Sequence, residues 1–355
     1  MKVAILIPTI NRPSFIERTV KYYDSLESQH PLYIGDASSS EISQKTASFL
    51  KSIKNVEVKY FHWKGLNSIK TMAKLAEKAS VECEYCSVHG DDDYLIPSSV
   101  TKCSLFLSKN FEYRTAQGHA GLVVMDSAKP IGNIKWMDVY WGKNFLEESS
   151  KLGRLSSFNK SFYSLQFSVH RIGEFITDSK DFTSITNVDK AAELLHSFTM
   201  AINGKSKFID CLYMIRVRHL GLFVHSSNVL KYITDDSWKN DYNITVNSLS
   251  RILSEDNKIS YKEAKKIINN IMKDKDSLKQ FTGHKKKIES ESIKNKTNTL
   301  IKIIKFMLVK FGLKFIVEPF RKKNNMQLWT AKGARFYYDF LPIKNSLTGK
   351  SLLDN

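Results

Sequence analysis

The stretch Tyr85-Cys86-Ser87-Val88-His89-Gly90-Asp91-Asp92-Asp93-Tyr94-Leu95-Ile96-Pro97 decides how the chain is read. Tyr85 to Val88 is a short β-prone run that stops at a glycine, which predicts a buried strand. Pro97-Ser98-Ser99 opens a run with Val100, Cys103, Leu105, Phe106 and Leu107, which predicts a helix capped by Ser98 or Ser99. Three carboxylates therefore stand on a tight turn between a strand end and a helix start. Adjacent anions repel, and a divalent cation is the simplest partner for them. Mg²⁺ and Mn²⁺ accept carboxylate oxygens and keep positions open for phosphate oxygens. The carboxyl ends of strands are also where open α/β sheets bind ligands.

Upstream, the pattern alternates. Val3 to Ile7 is an apolar strand ended by Pro8 and Thr9, and Asn11 is placed to cap a helix with Pro13 in its first turn and a stripe of Phe15, Ile16, Thr19, Val20 and Tyr23. Leu32-Tyr33-Ile34 is a second strand, ending at Gly35-Asp36, with helix through about residue 53. Val56, Val58 and Tyr60 alternate as a third. Ile69, Met72, Ala73 and Ala76 form a helical stripe, with Lys70 off it. This β-α-β-α-β-α-β order predicts an α/β fold whose sheet is covered by helices. Pro8, Thr9, Asn11, Arg12, Asp36 and Asp91 to Asp93 fall at strand ends and are expected to share a crevice suited to a nucleoside diphosphate. No glycine-rich phosphate cradle is present.

The motifs Ile5-Leu6-Ile7-Pro8-Thr9-Ile10-Asn11-Arg12-Pro13, Ile34-Gly35-Asp36-Ala37-Ser38-Ser39 and Gly90-Asp91-Asp92-Asp93-Tyr94-Leu95-Ile96-Pro97 resemble those of family 2 glycosyltransferases, in order and spacing, over residues 1–107. The resemblance implies a Rossmann-like, mixed GT-A sheet and an inverting, metal-dependent transfer from a nucleotide sugar. It implies Pro8, Thr9, Asn11, Arg12, Asp36, Lys70 and Asp91 at the donor nucleotide, and Asp92, Asp93 and His219 at a Mn²⁺ or Mg²⁺ ion. Gly35 and Gly90 stand where many members carry an aspartate.

In the middle of the chain, Gly121 to Met125, Trp136 to Trp141, Phe158 to Val169 and Phe208 to Met214 are expected strands, with the acceptor site built between 108 and 235. Trp136, Tyr140 and Trp141 are aromatic enough to stack on sugar rings, although such residues more often fill a core. Asp189 to Ala201 predicts a helix stopped by Asn203-Gly204. Asp189 and Glu193 share one of its faces. In the family a carboxylate at such a helix start is the general base. Counting back from Gly204 selects Glu193, with Asp189 as the alternative.

The total charge of +18 is unevenly spread. Residues 251–355 hold 24 Lys and Arg against 10 Asp and Glu, a net +14, which leaves +4 for residues 1–250. The division expected is a catalytic unit at 1–235 and a basic, mainly helical region at 236–355. Residues 300–317 combine 13 apolar residues with four lysines and one glycine, the pattern of a helix lying on an anionic membrane surface, with 285–323 as the contact. The N-terminus lacks a secretory leader pattern, and no run of 18 uncharged apolar residues exists, so the expected location is the cytoplasm, with peripheral contact to the inner face of the membrane. Four cysteines fit a reducing compartment, and Cys83-Glu84-Tyr85-Cys86 lacks the second ligand pair of a zinc site. No nucleic-acid motif accompanies the basic tail. The function expected is transfer of a sugar to a hydroxyl of a lipid-linked or polymeric acceptor in cell-surface polysaccharide synthesis. The alternatives are a sugar nucleotidyltransferase and a non-catalytic membrane-surface scaffold.

Overall fold

The computed structural model describes residues 1–141, 146–183, 185, 191–220, 239–256, 258–273 and 325–351. Its first half alternates as expected: β1 (Val3–Thr9), α1 (Pro13–Ser25), β2 (Leu32–Asp36), α2 (Ser40–Leu50), β3 (Val58–His62), α3 (Ser68–Ala79), β4 (Tyr85–Val88), β5 (Tyr94–Leu95) and α4 (Pro97–Lys109). Then come β6 (Tyr113–Met125), β7 (Ile134–Trp141), α5 (Lys151–Lys160), a 3₁₀ turn at Leu165–Phe167, β8 (Val169–Arg171), α6 (Ile172–Phe182), α7 (Ala191–Asn203) and β9 (Lys205–Arg218). The described remainder is helical: α8 (Lys239–Ser254), α9 (Tyr261–Lys273), α10 (Asn325–Trp329) and α11 (Tyr337–Thr348).

One sheet runs β3-β2-β1-β4-β8-β6-β9-β5, with β7 paired to β6. β1, β2, β3 and β4 are parallel. β8 is antiparallel to both β4 and β6, and β6 runs parallel to β9. The carboxyl ends of β1, β2, β4, β6 and β9 therefore lie on one edge of a mixed α/β sheet. This is the expected fold class. β1 is apolar from Val3 to Ile7 because helices cover both faces of the sheet there, and all five residues are wholly buried.

Several local expectations are corrected. Helix α1 begins after Arg12, and no side chain caps it. Helix α4 begins at Pro97 after Ile96, without a serine cap. Residues 158–169 are not one strand. Ser150 accepts the Gly153 N–H and starts α5, which buries Arg154, Leu155 and Phe158, and only Val169–Arg171 joins the sheet. Gly204 does follow α7, but at no positive φ. A Cβ there would lie 2.2 Å from Arg114 Cδ, so close packing demands the glycine.

The described parts of 236–355 do not stand apart from residues 1–235. Val246, Leu249 and Leu253 of α8 and Ala264, Ile268 and Met272 of α9 join the same apolar core as the sheet. Met326 of α10 packs against Gly121, where a Cβ would meet its Cε at 2.5 Å. From α11, Phe340, Ile343 and Leu347 are buried, and Ser346 Oγ meets Tyr94 Oη at 2.9 Å. The expected membrane-contacting stretch 285–323 lies outside the described residues, and no described helix is long and apolar enough to cross a membrane.

Candidate functional site

The acidic turn follows β4 at the shared carboxyl edge. His89 sets its start. Tyr23 Oη accepts the Leu95 N–H at 3.1 Å and meets His89 Nε2 at 3.0 Å, while His89 Nδ1 lies 2.7 Å from Gly90 O. This order makes Tyr23 the donor to Nε2 and places the imidazole proton on Nδ1. Burial lowers the His89 pKa to about 4, so the ring is neutral at pH 7.

Each aspartate then takes different partners. Asp91, 4% exposed, accepts from Thr9 Oγ1 at 2.6 Å and pairs with Arg12. Asp92 pairs through Oδ2 with Arg12 Nη2 at 2.9 Å. Its Oδ1 accepts no hydrogen bond from the described residues, and a Cβ on Gly90 would lie 3.1 Å from it. Asp93, 1% exposed, accepts the Val217 N–H at 2.8 Å through Oδ1 and pairs through Oδ2 with Arg216 Nε at 2.8 Å. Burial, with the neighbouring charge of Asp92 added, pushes Asp91 above the usual carboxylate range against the pull of Arg12. Burial pushes Asp93 the same way against Arg216. The Arg12 guanidinium loses hydration but gains more from Asp91 and Asp92, so it stays firmly charged.

A cation is not the only counter-charge open to the turn. Arg12 and Arg216, brought in by the β1–α1 loop and by β9, are its partners. The expected ligand set Asp92, Asp93 and His219 is not gathered. His219 Nε2 faces Arg18 Nη1 at 3.2 Å, and Asp93 is spent on β9. Among the described residues no group of three or more His, Cys, Asp or Glu is able to hold a metal ion. The donor set that remains is one carboxylate oxygen of Asp92. It fits a divalent cation that draws its other ligands from phosphate and water.

The rest of the expected donor site lies along the same edge. Pro8 and Thr9 end β1, in register with Gly35 and Asp36 of β2. Asp36 is buried and accepts from Ser38 N at 2.8 Å and Tyr60 Oη at 2.7 Å. Asn11 adopts φ +56, a conformation asparagine tolerates, and its N–H donates to Ser38 Oγ at 2.7 Å. Lys70 is exposed in the first turn of α3, beyond the carboxyl end of β3. A Cβ on Gly35 would meet Thr71 Cγ2 at 2.4 Å, so a larger residue does not fit beneath α3.

Glu193 stands half-buried in the first turn of α7, whereas Asp189 falls outside the described residues. Arg216, paired with Asp93, also lies within the electrostatic reach of Glu193. Burial works against its charge, but Asp93, then Tyr140, Glu193 and Asp92, more than offset it. The guanidinium also lies 4.4 Å above Phe167 and 5.4 Å from the Tyr140 ring centroid. Trp141 is a core residue, its Nε1 donating to Gly118 O at 3.0 Å.

Sequence reasoning did not single out Arg18. It is 5% exposed and donates to Asp92 O and to Pro130 O, each at 2.7 Å, tying the acidic turn to the β6–β7 loop. Its signal was an arginine on the apolar side of α1, three residues past Phe15 and four before Tyr22. Thr19, which donates to Asp91 O at 2.7 Å, carried none.

No protein-family model matches the chain, and no curated protein matches it. Among solved structures it is similar to S. aureus TarS 1-349, with 15% identity over 74% of this chain and 77% of that chain and a TM-score of 0.40. The same TarS fragment in complex with UDP-GlcNAc gives 14% identity over the same shares and a TM-score of 0.43. GalNAc-T7 with UDP, GalNAc and Mn²⁺ gives 16% identity over 76% of this chain and 54% of that chain, also at 0.43. At these scores much of the backbone differs, so the chemistry is read from this chain's own residues.

Proposed function

We propose that the protein is a glycosyltransferase that moves a sugar from a nucleotide sugar to a hydroxyl of a lipid-linked or polymeric acceptor, such as a growing cell-surface polysaccharide. One observation carries this reading: a single sheet edge brings together Thr9, Arg12 and the Asp91–Asp93 turn with Arg216, and Glu193 contributes to the field at Arg216. The arginines suit an anionic diphosphate. Asp36, Asn11, Pro8 and Lys70 border the place assigned to the nucleoside.

In this reading Glu193 removes the acceptor hydroxyl proton as the oxygen attacks the anomeric carbon. The bond from that carbon to the diphosphate breaks, the electron pair leaves with the phosphate oxygen, and the configuration inverts. Arg12 and Arg216 hold the departing charge. A divalent cation, Mn²⁺ or Mg²⁺, would be held by Asp92 and would offset part of that charge when bound. The basic segment 285–323 would rest on the anionic cytoplasmic face of a membrane, where such acceptors are built.

A thermal-shift series with nucleoside diphosphates and nucleotide sugars, each with Mn²⁺ and with EDTA, tests the donor site. A ligand at 100 times its Kd adds about 2.7 kcal/mol. One nucleotide series is expected to stabilise the protein and to lose the effect with EDTA. No shift with any nucleotide sinks the reading.

A further inference from the structure

The acidic turn contains its own counter-ions, and one of them shares the carboxylate that would hold a cation. Arg12 forks across two carboxylates, Nη1 to Asp91 and Nη2 to Asp92 Oδ2 at 2.9 Å. Its guanidinium is fixed from the side by the Phe15 ring, 3.9 Å from the centroid. Asp93 is satisfied by Arg216 and the Val217 N–H. Three carboxylates thus face two directly paired guanidinium groups, which leaves about one unit of negative charge for any entering ion.

We propose that Arg12 is an internal counter-ion that makes cation binding at Asp92 depend on the arrival of a nucleoside diphosphate. This rests on the donor-site reading above. A dication beside Asp92 is placed next to the Arg12 charge, whose repulsion is of the same order as the attraction of the carboxylate they share and cancels much of it. A diphosphate reverses the balance. It supplies the negative charge that Arg12 and the cation both seek, so the guanidinium has an alternative partner and Asp92 Oδ2 is released. Coupling of this kind is reciprocal: the nucleotide tightens the cation by the factor by which the cation tightens the nucleotide.

The test is direct Mn²⁺ binding to the full chain, followed by the electron paramagnetic resonance signal of free Mn²⁺. It is run without nucleotide and with ADP, GDP, CDP, UDP or dTDP in turn. The wild type is expected to bind Mn²⁺ weakly alone and at least ten-fold more tightly with one of the nucleotides. Arg12→Gln is expected to bind Mn²⁺ alone at least ten-fold more tightly than the wild type, and adding Asp92→Asn to it should remove the gain. Arg12→Lys keeps a charge but cannot bridge two carboxylates, so it should fall between the two, and it carries the test if Arg12→Gln does not fold. The proposal is overturned if neither variant binds Mn²⁺ alone more tightly than the wild type while nucleotide still tightens the wild type; the donor-site reading then survives. If no nucleotide promotes Mn²⁺ binding to the wild type, both fail together.

Discussion

At the scale of single residues, the site and its surroundings are set by which groups are allowed to carry charge. Glu193 is the proposed base, and it makes none of the ion pairs that hold the Asp91–Asp93 turn. Glu193→Gln should lower kcat for sugar transfer by roughly 10²- to 10⁴-fold while the thermal shift produced by nucleotide stays as in the wild type. Loss of both would mean the substitution acts on binding. Full turnover would move the role to Asp189. His30 makes a different prediction. It is completely buried, accepts the Val3 N–H at Nδ1 at 3.2 Å, and has its pKa lowered by burial to about 4. A depressed histidine stabilises the fold fully above its unfolded pKa of about 6.5, and that contribution is lost as pH falls through the folded value. Between pH 7 and pH 5 the loss from this one group is about 2 kcal/mol. Urea midpoints measured across that range should fall, and His30→Gln should flatten the slope. Asp91 and Asp93, raised by burial, act in the opposite direction, since they stabilise in acid and lose that contribution as pH rises. A histidine slope that survives them would show which class of buried group dominates.

At the scale of elements, the glycine beneath α3 is the sharpest constraint. Gly35→Ala drives a methyl into Thr71 Cγ2 and Leu75, so it should cost about 1–3 kcal/mol, read as a lowered urea midpoint with unchanged m-value. Because Gly35 precedes Asp36, nucleotide affinity should fall with it. Thr71→Ser in the same chain removes the methyl that clashes and should restore part of the loss. The elements also mark where the sequence could be read. Through residue 107 the runs were buried strands, one alternating edge strand, Val58–His62, and helix stripes, and the chain's own periodicity separated them. Past that point it did not. Phe158 and Phe162 are spaced as in a helix, whereas Leu165, Phe167 and Val169 alternate, so one apolar stretch held two patterns and was taken for a single strand. At the turn, the residue types were legible but their partners were not. Asp93 pairs with Arg216 of a strand more than a hundred residues later, and the pairing of β9 with β5, Tyr94 opposite Ile215, brings that guanidinium beside the turn. Charge arithmetic confined to the turn therefore saw a cation as its simplest partner and missed the arginines that the fold also supplies.

At the scale of the whole molecule, the basic last third is not free to be cut away. Leu347 is fully buried in the shared core, and Leu347→Ala should cost about 2–5 kcal/mol. Deleting 325–351 should go further and give insoluble chain, because Met326, Phe336, Phe340 and Ile343 would be lost from the same core. Liposome binding is therefore better tested by reversing charges at Lys285, Lys286 and Lys287 than by truncation. Weaker sedimentation with anionic vesicles, at unchanged melting temperature, is the outcome that supports a membrane-resting tail.

The contact between Tyr94 and Ser346 has a consequence in time. Tyr94 follows the acidic turn directly, yet its hydroxyl waits for a partner 252 positions later. On a ribosome that adds about 5–20 residues per second, that partner is made many seconds after the first strands. The parallel strands that bear Thr9 and Asp36 can assemble early, whereas the end of the acidic turn gains its last partner only after α11 has been synthesised. Nascent chains arrested before that helix should hold a formed N-terminal sheet and an unfinished donor pocket.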